Sequence, residues 1–225
     1  MIKIKNLNKT FNISKQNEFN ALKNITLTIN TNSVVILKGV SGSGKSTLLA
    51  IIASFMKPTD GYIEVNNEFV AKLPDKHIST FRANNIGFVF QSFNLFENLT
   101  VAQNVTIGLI PMKYTQTIID NKVLKSLKLI NIAHKKDEIV SNLSGGEKQR
   151  VAIARALVND PNIILCDELT ANLDHKNSLI FIDIIKHLQK LGKTLIIATH
   201  DTIFEKIDIA HRVITIEDGE ITSES

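Results

Sequence analysis

Cysteine is almost missing from this 225-residue chain, where Cys166 stands alone. A single cysteine closes no intrachain disulfide and builds no cysteine-based zinc cage, and such a chain suits a reducing compartment. Long apolar runs are missing too. None approaches the roughly 18 to 20 residues that cross a bilayer, and the opening Met1-Ile2-Lys3-Ile4-Lys5 alternates instead of forming the apolar stretch of a secretion signal. The expectation is a cytoplasmic chain that does not itself span a membrane. Internal repeats and low-complexity tracts are also lacking, and so is a strong charge of one sign. The 26 basic and 22 acidic residues leave +4, and Lys135-Lys136 is followed at once by Asp137-Glu138. That mixed surface gives no argument for nucleic acid, and none is expected as a partner.

What is present suits one sizeable core. Hydrophobic residues make up 44% and charged residues 21%, close to globular averages, and the length leaves little room for two independent domains. Ile2, Ile4 and Leu7 begin one strand, and Leu27 and Ile29 alternate with Thr26, Thr28 and Asn30 in another. Residues 12–20 read as a polar loop between them. Short apolar runs at 34–37, 86–90, 163–166, 195–198 and 213–216 read as buried strands, several separated by helical patterns. Asn66-Asn67 between Tyr62-Ile63-Glu64-Val65 and Phe69-Val70 suggests an antiparallel hairpin. Helical periodicity dominates 94–158, and further helices are expected at 48–55, 175–191 and 201–206. The sum is an α/β fold with a mostly parallel core, residues 1–91 and 161–225, and a helical insertion over about 92–160.

Gly39-Val40-Ser41-Gly42-Ser43-Gly44-Lys45-Ser46 fits G-x-x-x-x-G-K-[ST], after a buried strand and before a helix. Glycines let the backbone curl so that N–H groups converge on phosphate oxygens, and the helix start adds its positive dipole end. Lys45 is expected on the β and γ phosphates, with Thr47 continuing the loop. The Ser46 hydroxyl suits Mg²⁺, a hard cation that prefers oxygen.

Cys166-Asp167-Glu168 ends an apolar run, which puts two carboxylates at the carboxyl end of a strand, where open α/β sheets bind ligands. Adjacent strand residues face opposite ways, so the two carboxylates divide the work. Asp167 suits the metal shell, and Glu168 the attacking water. Cys166 itself reads as a small core residue. Further back, Leu143-Ser144-Gly145-Gly146-Glu147 precedes a strong helical pattern. A capping box explains Ser144 and Glu147 without any ligand. It does not explain two consecutive glycines, which weaken a first turn and leave backbone N–H groups open to an approaching anion.

Taken in order, the phosphate loop, Gln91 after Gly87-Phe88-Val89-Phe90, the stretch from Leu143 to Arg150, Asp167-Glu168, Asn172-Leu173-Asp174 and Thr199-His200-Asp201 resemble an ABC-type ATPase subunit over essentially the whole chain. The resemblance implies a P-loop NTPase with a RecA-like core, antiparallel strands and an inserted helical subdomain. It implies ATP as substrate with Mg²⁺, and a homodimer in which each nucleotide lies between the phosphate loop of one copy and the Ser-Gly-Gly helix of the other. Ser144, Gly145 and Gly146 would then contact the γ-phosphate in trans, with Asp174 communicating across the dimer. Gln91 would touch the Mg²⁺ shell, Glu168 would be the catalytic glutamate, and His200 would contact the γ-phosphate. Phe11 sits where the family places an aromatic on adenine, usually tyrosine, with Phe19 as a lesser substitute. Leu169 stands where proline is usual and Ala171 where glycine is common, which implies slower hydrolysis.

Within the family, the polar loop Asn12–Asn20 before Ala21–Ile25 and the segments Phe88–Leu95, Leu99–Val105 and His211–Ile221 are most similar to the lipoprotein-releasing and macrolide-exporter ATPases. That resemblance implies a peripheral location on the inner face of the cell membrane, with separately encoded permease subunits. A cell-division ATPase with a permease-like partner carries nearly the same motifs, and a nucleotide-sensing module is a further alternative. A DNA-repair ATPase of this family needs a coiled-coil insertion that is not found here.

Overall fold

The computed structural model describes residues 1–169, 175–201 and 210–225, with the backbone alone at 175–177. Two sheets organise them. The smaller has the order β2-β1-β4, built from β1 (Ile2–Phe11), β2 (Phe19–Ile29) and β4 (Asp60–Val65), all antiparallel. The larger contains β3 (Val34–Lys38), β5 (Ile86–Val89), β6 (Ile163–Asp167), β7 (Thr194–Thr199), β8 (Arg212–Glu217) and β9 (Glu220–Glu224). Its order is β5-β6-β7-β3-β8-β9, parallel except for the last pair.

Alternation along the central strands assigns side chains to two apolar clusters, one on each face. Val34, Ile36, Ile164, Cys166, Leu195 and Ile197 face one cluster. Val35, Leu37, Ile163, Leu165, Ile196 and Ala198 face the other. Strands covered on both sides must be apolar throughout, which accounts for the unbroken runs. On the first face lie α3 (Val101–Thr106), α4 (Gln116–Leu129), α5 (Gly145–Leu157) and α6 (His175–Lys190). On the second lie α1 (Lys45–Ile52) and the antiparallel sheet.

The buried strands and the helices of 94–158 fall where expected, whereas the hairpin does not. Asn66 and Asn67 do turn the chain with φ of 50° and 66°. The return arm ends after a single bridge from Glu68 to Val65, and Val70–Lys72 is a short 3₁₀ turn whose Val70 is buried. A further helix, α2 (Asp75–Asn85), was not anticipated; none of its residues is buried, so it has no apolar period to read. The expected helix at 201–206 lies almost wholly outside the described residues.

Candidate functional site

The parallel strands β3, β6 and β7 have their carboxyl ends on one side of the large sheet, and the phosphate loop, Asp167, Glu168 and His200 gather there. Gly44 caps α1 with φ of 105°, and Lys45 and Ser46 open the helix. A Cβ at Gly44 would meet the Ala21 carbonyl at 2.5 Å and a Leu22 methyl at 2.9 Å, so both conformation and space require glycine. A cleft of about 370 Å³ is lined by Ser41 to Thr47 together with Phe11, Phe19, Gln91, Glu168 and His200. Gly39 and Val40 are not part of that lining. Their carbonyls accept from Lys45 Nζ at 2.7 and 3.0 Å, which aims a buried ammonium along the loop.

The two carboxylates are divided between different partners. Asp167 Oδ1 accepts from the Ser46 hydroxyl at 2.8 Å. Burial raises the Asp167 carboxyl above its ordinary range, opposed by the Ser46 hydrogen bond. Glu168 leaves the strand with φ of 50°, and its carboxylate bridges Lys45 Nζ at 3.2 Å and His200 Nδ1 at 2.6 Å. One carboxylate thus touches the lysine of the phosphate loop and a half-exposed imidazole. Burial pushes the Cys166 thiol up, which leaves it an inert core group.

Ser46 and Asp167 place a hydroxyl and a carboxylate oxygen within 2.8 Å of each other, with the Gln91 amide lining the same cleft. An all-oxygen set with so few protein donors fits Mg²⁺, which keeps waters and phosphate oxygens for its remaining positions. The aromatic pair is tighter than the sequence suggested. Phe11 and Phe19 stack with centroids 5.2 Å apart, Lys9 Nζ lies 5.0 Å from the Phe11 ring, and Phe19 is 53% exposed.

Ser144, Gly145 and Gly146 do not line this cleft. Ser144 forms the complete capping box of α5 with Glu147, whose carboxyl is held low chiefly by the Ser144 backbone N–H. Gly145 has no positive φ, and a Cβ there would meet nothing within 4 Å. Nothing among the described residues requires it to be glycine. Leu169 is buried in the core, and its carbonyl accepts from the Gln149 side chain, a contact that no motif reading had singled out. Ala171 and Asp174 lie outside the described residues.

Residues 22–171 match the family described as ABC transporter. Over 222 residues, 98% of this chain, it is 38% identical to the methionine import ATP-binding protein MetN 1 of Staphylococcus aureus, and it spans 64% of that protein's length. It is also 38% identical over its full length to the macrolide export ATP-binding/permease protein MacB of Chlorobaculum tepidum, covering 34% of that protein. Among solved structures, the dimeric post-hydrolysis state of the ATP-binding cassette MJ0796 with ADP and Pi superposes with a TM-score of 0.90 at 38% identity. That match covers 100% of this chain and 98% of the other.

Proposed function

Because the chain belongs to the ABC transporter family as the ATPase part of a transport system, we propose that ATP draws two copies together head to tail. Hydrolysis then releases them, and the cycle drives a membrane permease. The observation that carries the dimer is Gly145. Glycine at a helix start costs stability relative to alanine, and neither its φ nor the space left by the described residues demands it. The demand comes from outside, where a phosphate bound to the second copy must approach the backbone N–H groups of Gly145 and Gly146, beside Ser144.

The loop amides from Gly39 to Gly44 and the Lys45 ammonium bind the phosphates, and the Phe11–Phe19 pair offers an aromatic face to the base. Ser46, Asp167 and Gln91 hold Mg²⁺, which when bound neutralises phosphate charge. Glu168 accepts the proton of the attacking water, His200 steadies the γ-phosphate, and Asp174 passes the state of one site to the other. Each carboxylate keeps one role because Asp167 is engaged with Ser46 and Glu168 with Lys45 and His200. Phosphate release from ATP by the purified chain tests the reading directly; a chain that neither binds ATP nor releases phosphate overturns it.

Among the described residues no helix is long and apolar enough to cross a membrane. We assign a peripheral position on the inner membrane face, held by the permease. An open groove of about 420 Å³ whose lining includes Phe55, Phe88, Phe90, Ile107 and Pro111 supports that contact, since Phe55 is 47% exposed. The helical insertion at 92–160 runs between the neighbouring strands β5 and β6, which supports its assignment as a subdomain. The segments resembling exporter ATPases favour lipoprotein release or macrolide export by mechanical transmission. Equal identity to a methionine importer's ATPase supports a second reading, solute import. Identifying the membrane protein that co-purifies separates the two.

A further inference from the structure

Glu168 holds a backbone conformation that side chains rarely adopt, with φ of 50°. Left-handed backbone is strained outside glycine, so it persists only where the surroundings fix it. Two hydrogen bonds bracket it here. The Glu168 N–H donates to the Ala198 carbonyl at 2.9 Å. One residue on, the Leu169 carbonyl accepts from Gln149 Nε2 at 3.0 Å. Because a carbonyl can only accept, the contacting atom of Gln149 must be its NH₂ group. Gln149 and Leu169 are each 2% exposed, so water does not compete for the bond.

Gln149 lies on α5, four residues beyond Gly145, or about 6 Å along the axis. It is not among the residues that line the phosphate cleft. We propose that Gln149 is a positioning residue for Glu168: by holding the Leu169 carbonyl it fixes the backbone that aims the carboxylate, so that the aim is set from α5. This rests on the reading of Glu168 as the group that activates water.

The test is Gln149→Met, which keeps length and apolar bulk and removes the donor, measured by steady-state turnover and by ATP binding. The expected result is a fall in kcat on the order of tenfold, the scale on which misplaced reacting groups cost rate, with KM and ATP affinity within about twofold of wild type. A merely structural role moves both together, and unchanged kcat or a parallel loss of ATP affinity overturns the proposal. A second comparison is the double variant Gln149→Met with Glu168→Gln, followed by single turnover. If Gln149 acts through Glu168, the double variant is no slower than Glu168→Gln alone; additive losses overturn the proposal. Wild-type protein without turnover would instead sink the ATPase reading, so the two failures are distinguishable.

Discussion

Replacing Gly145 with alanine should strengthen the fold and weaken the machine. The position opens α5, has no positive φ, and leaves open space where a Cβ would go. Alanine there should gain about 0.5–1 kcal/mol through the lower entropy of the unfolded chain. For a chain of this size that is roughly 1–4 °C in melting temperature. Gly44→Ala is the contrast. It forces a left-handed alanine costing about 1–2 kcal/mol, and its methyl overlaps the Ala21 carbonyl at 2.5 Å, so it must lower stability.

At the proposed dimer contact the same methyl group has the opposite effect. An amide reaches a phosphate oxygen at about 2.9 Å, whereas a methyl group must stay about 3.5 Å or more away. Losing one charge-assisted hydrogen bond per nucleotide costs about 1.5–3 kcal/mol. A two-fold dimer has two such sites, so closure loses about 3–6 kcal/mol, or on the order of 10² to 10⁴ in the dimerisation constant. The assay is analytical ultracentrifugation with ATP in a Glu168→Gln background, beside thermal melts of the single variants. Full dimerisation by Gly145→Ala, or a loss of stability matching Gly44→Ala, would refute the argument that a second copy imposes this glycine.

Other outcomes follow from the cleft. Lys45→Ala should weaken ATP affinity about 10- to 100-fold, since it removes a charge-assisted donor from the phosphates; calorimetry showing wild-type affinity contradicts its placement. Glu168→Gln should keep ATP affinity while turnover falls by about 10² or more, so that ATP holds a dimer that gel filtration resolves; monomer alone with ATP counts against the closed dimer. Asp167 has a raised carboxyl pKa caused first by burial. Its folded state therefore favours the protonated form, and stability is lost as pH rises through the folded-state value. Asp167→Asn should be more stable than wild type at neutral pH, with the gap closing as pH falls through the carboxylate range, while Mg²⁺-dependent turnover is lost. Denaturant melts across pH measure this, and a gap that widens on acidification would show the sign to be wrong.

The phosphate loop was legible because its chemistry is local: eight consecutive residues supply the turn, the amides, the ammonium and the hydroxyl. Cys166-Asp167-Glu168 was legible because an apolar run ending in acid marks a strand end. By contrast, α2 could not be read, since all its residues stay at least partly exposed and no stripe of apolar side chains betrays a helix. The failed hairpin has a related cause. Its turn chemistry at Asn66-Asn67 was right, but Val70 finds burial against the core that a return strand would not provide. The Gln149–Leu169 bond joins residues 20 positions apart, and one glutamine among polar neighbours carries no period or spacing that points to a distant carbonyl. Phe19 reaches the cleft through its pairing with Phe11 across β1 and β2, a register that several irregularities along the ladder hide from the sequence.

Because successive residues of each central strand belong to opposite clusters, the sheet acts as an insulating wall. The phosphate loop grows from the side of α1, and α5, the proposed contact for a second copy, belongs to the side of α3 to α6. The two sides meet at the strand ends, where Gln149 of α5 holds the Leu169 carbonyl and Glu168 touches Lys45 of α1. The wall therefore has one gap, at the carboxyl ends of the strands, and a change on the helical side reaches the phosphate loop only through it.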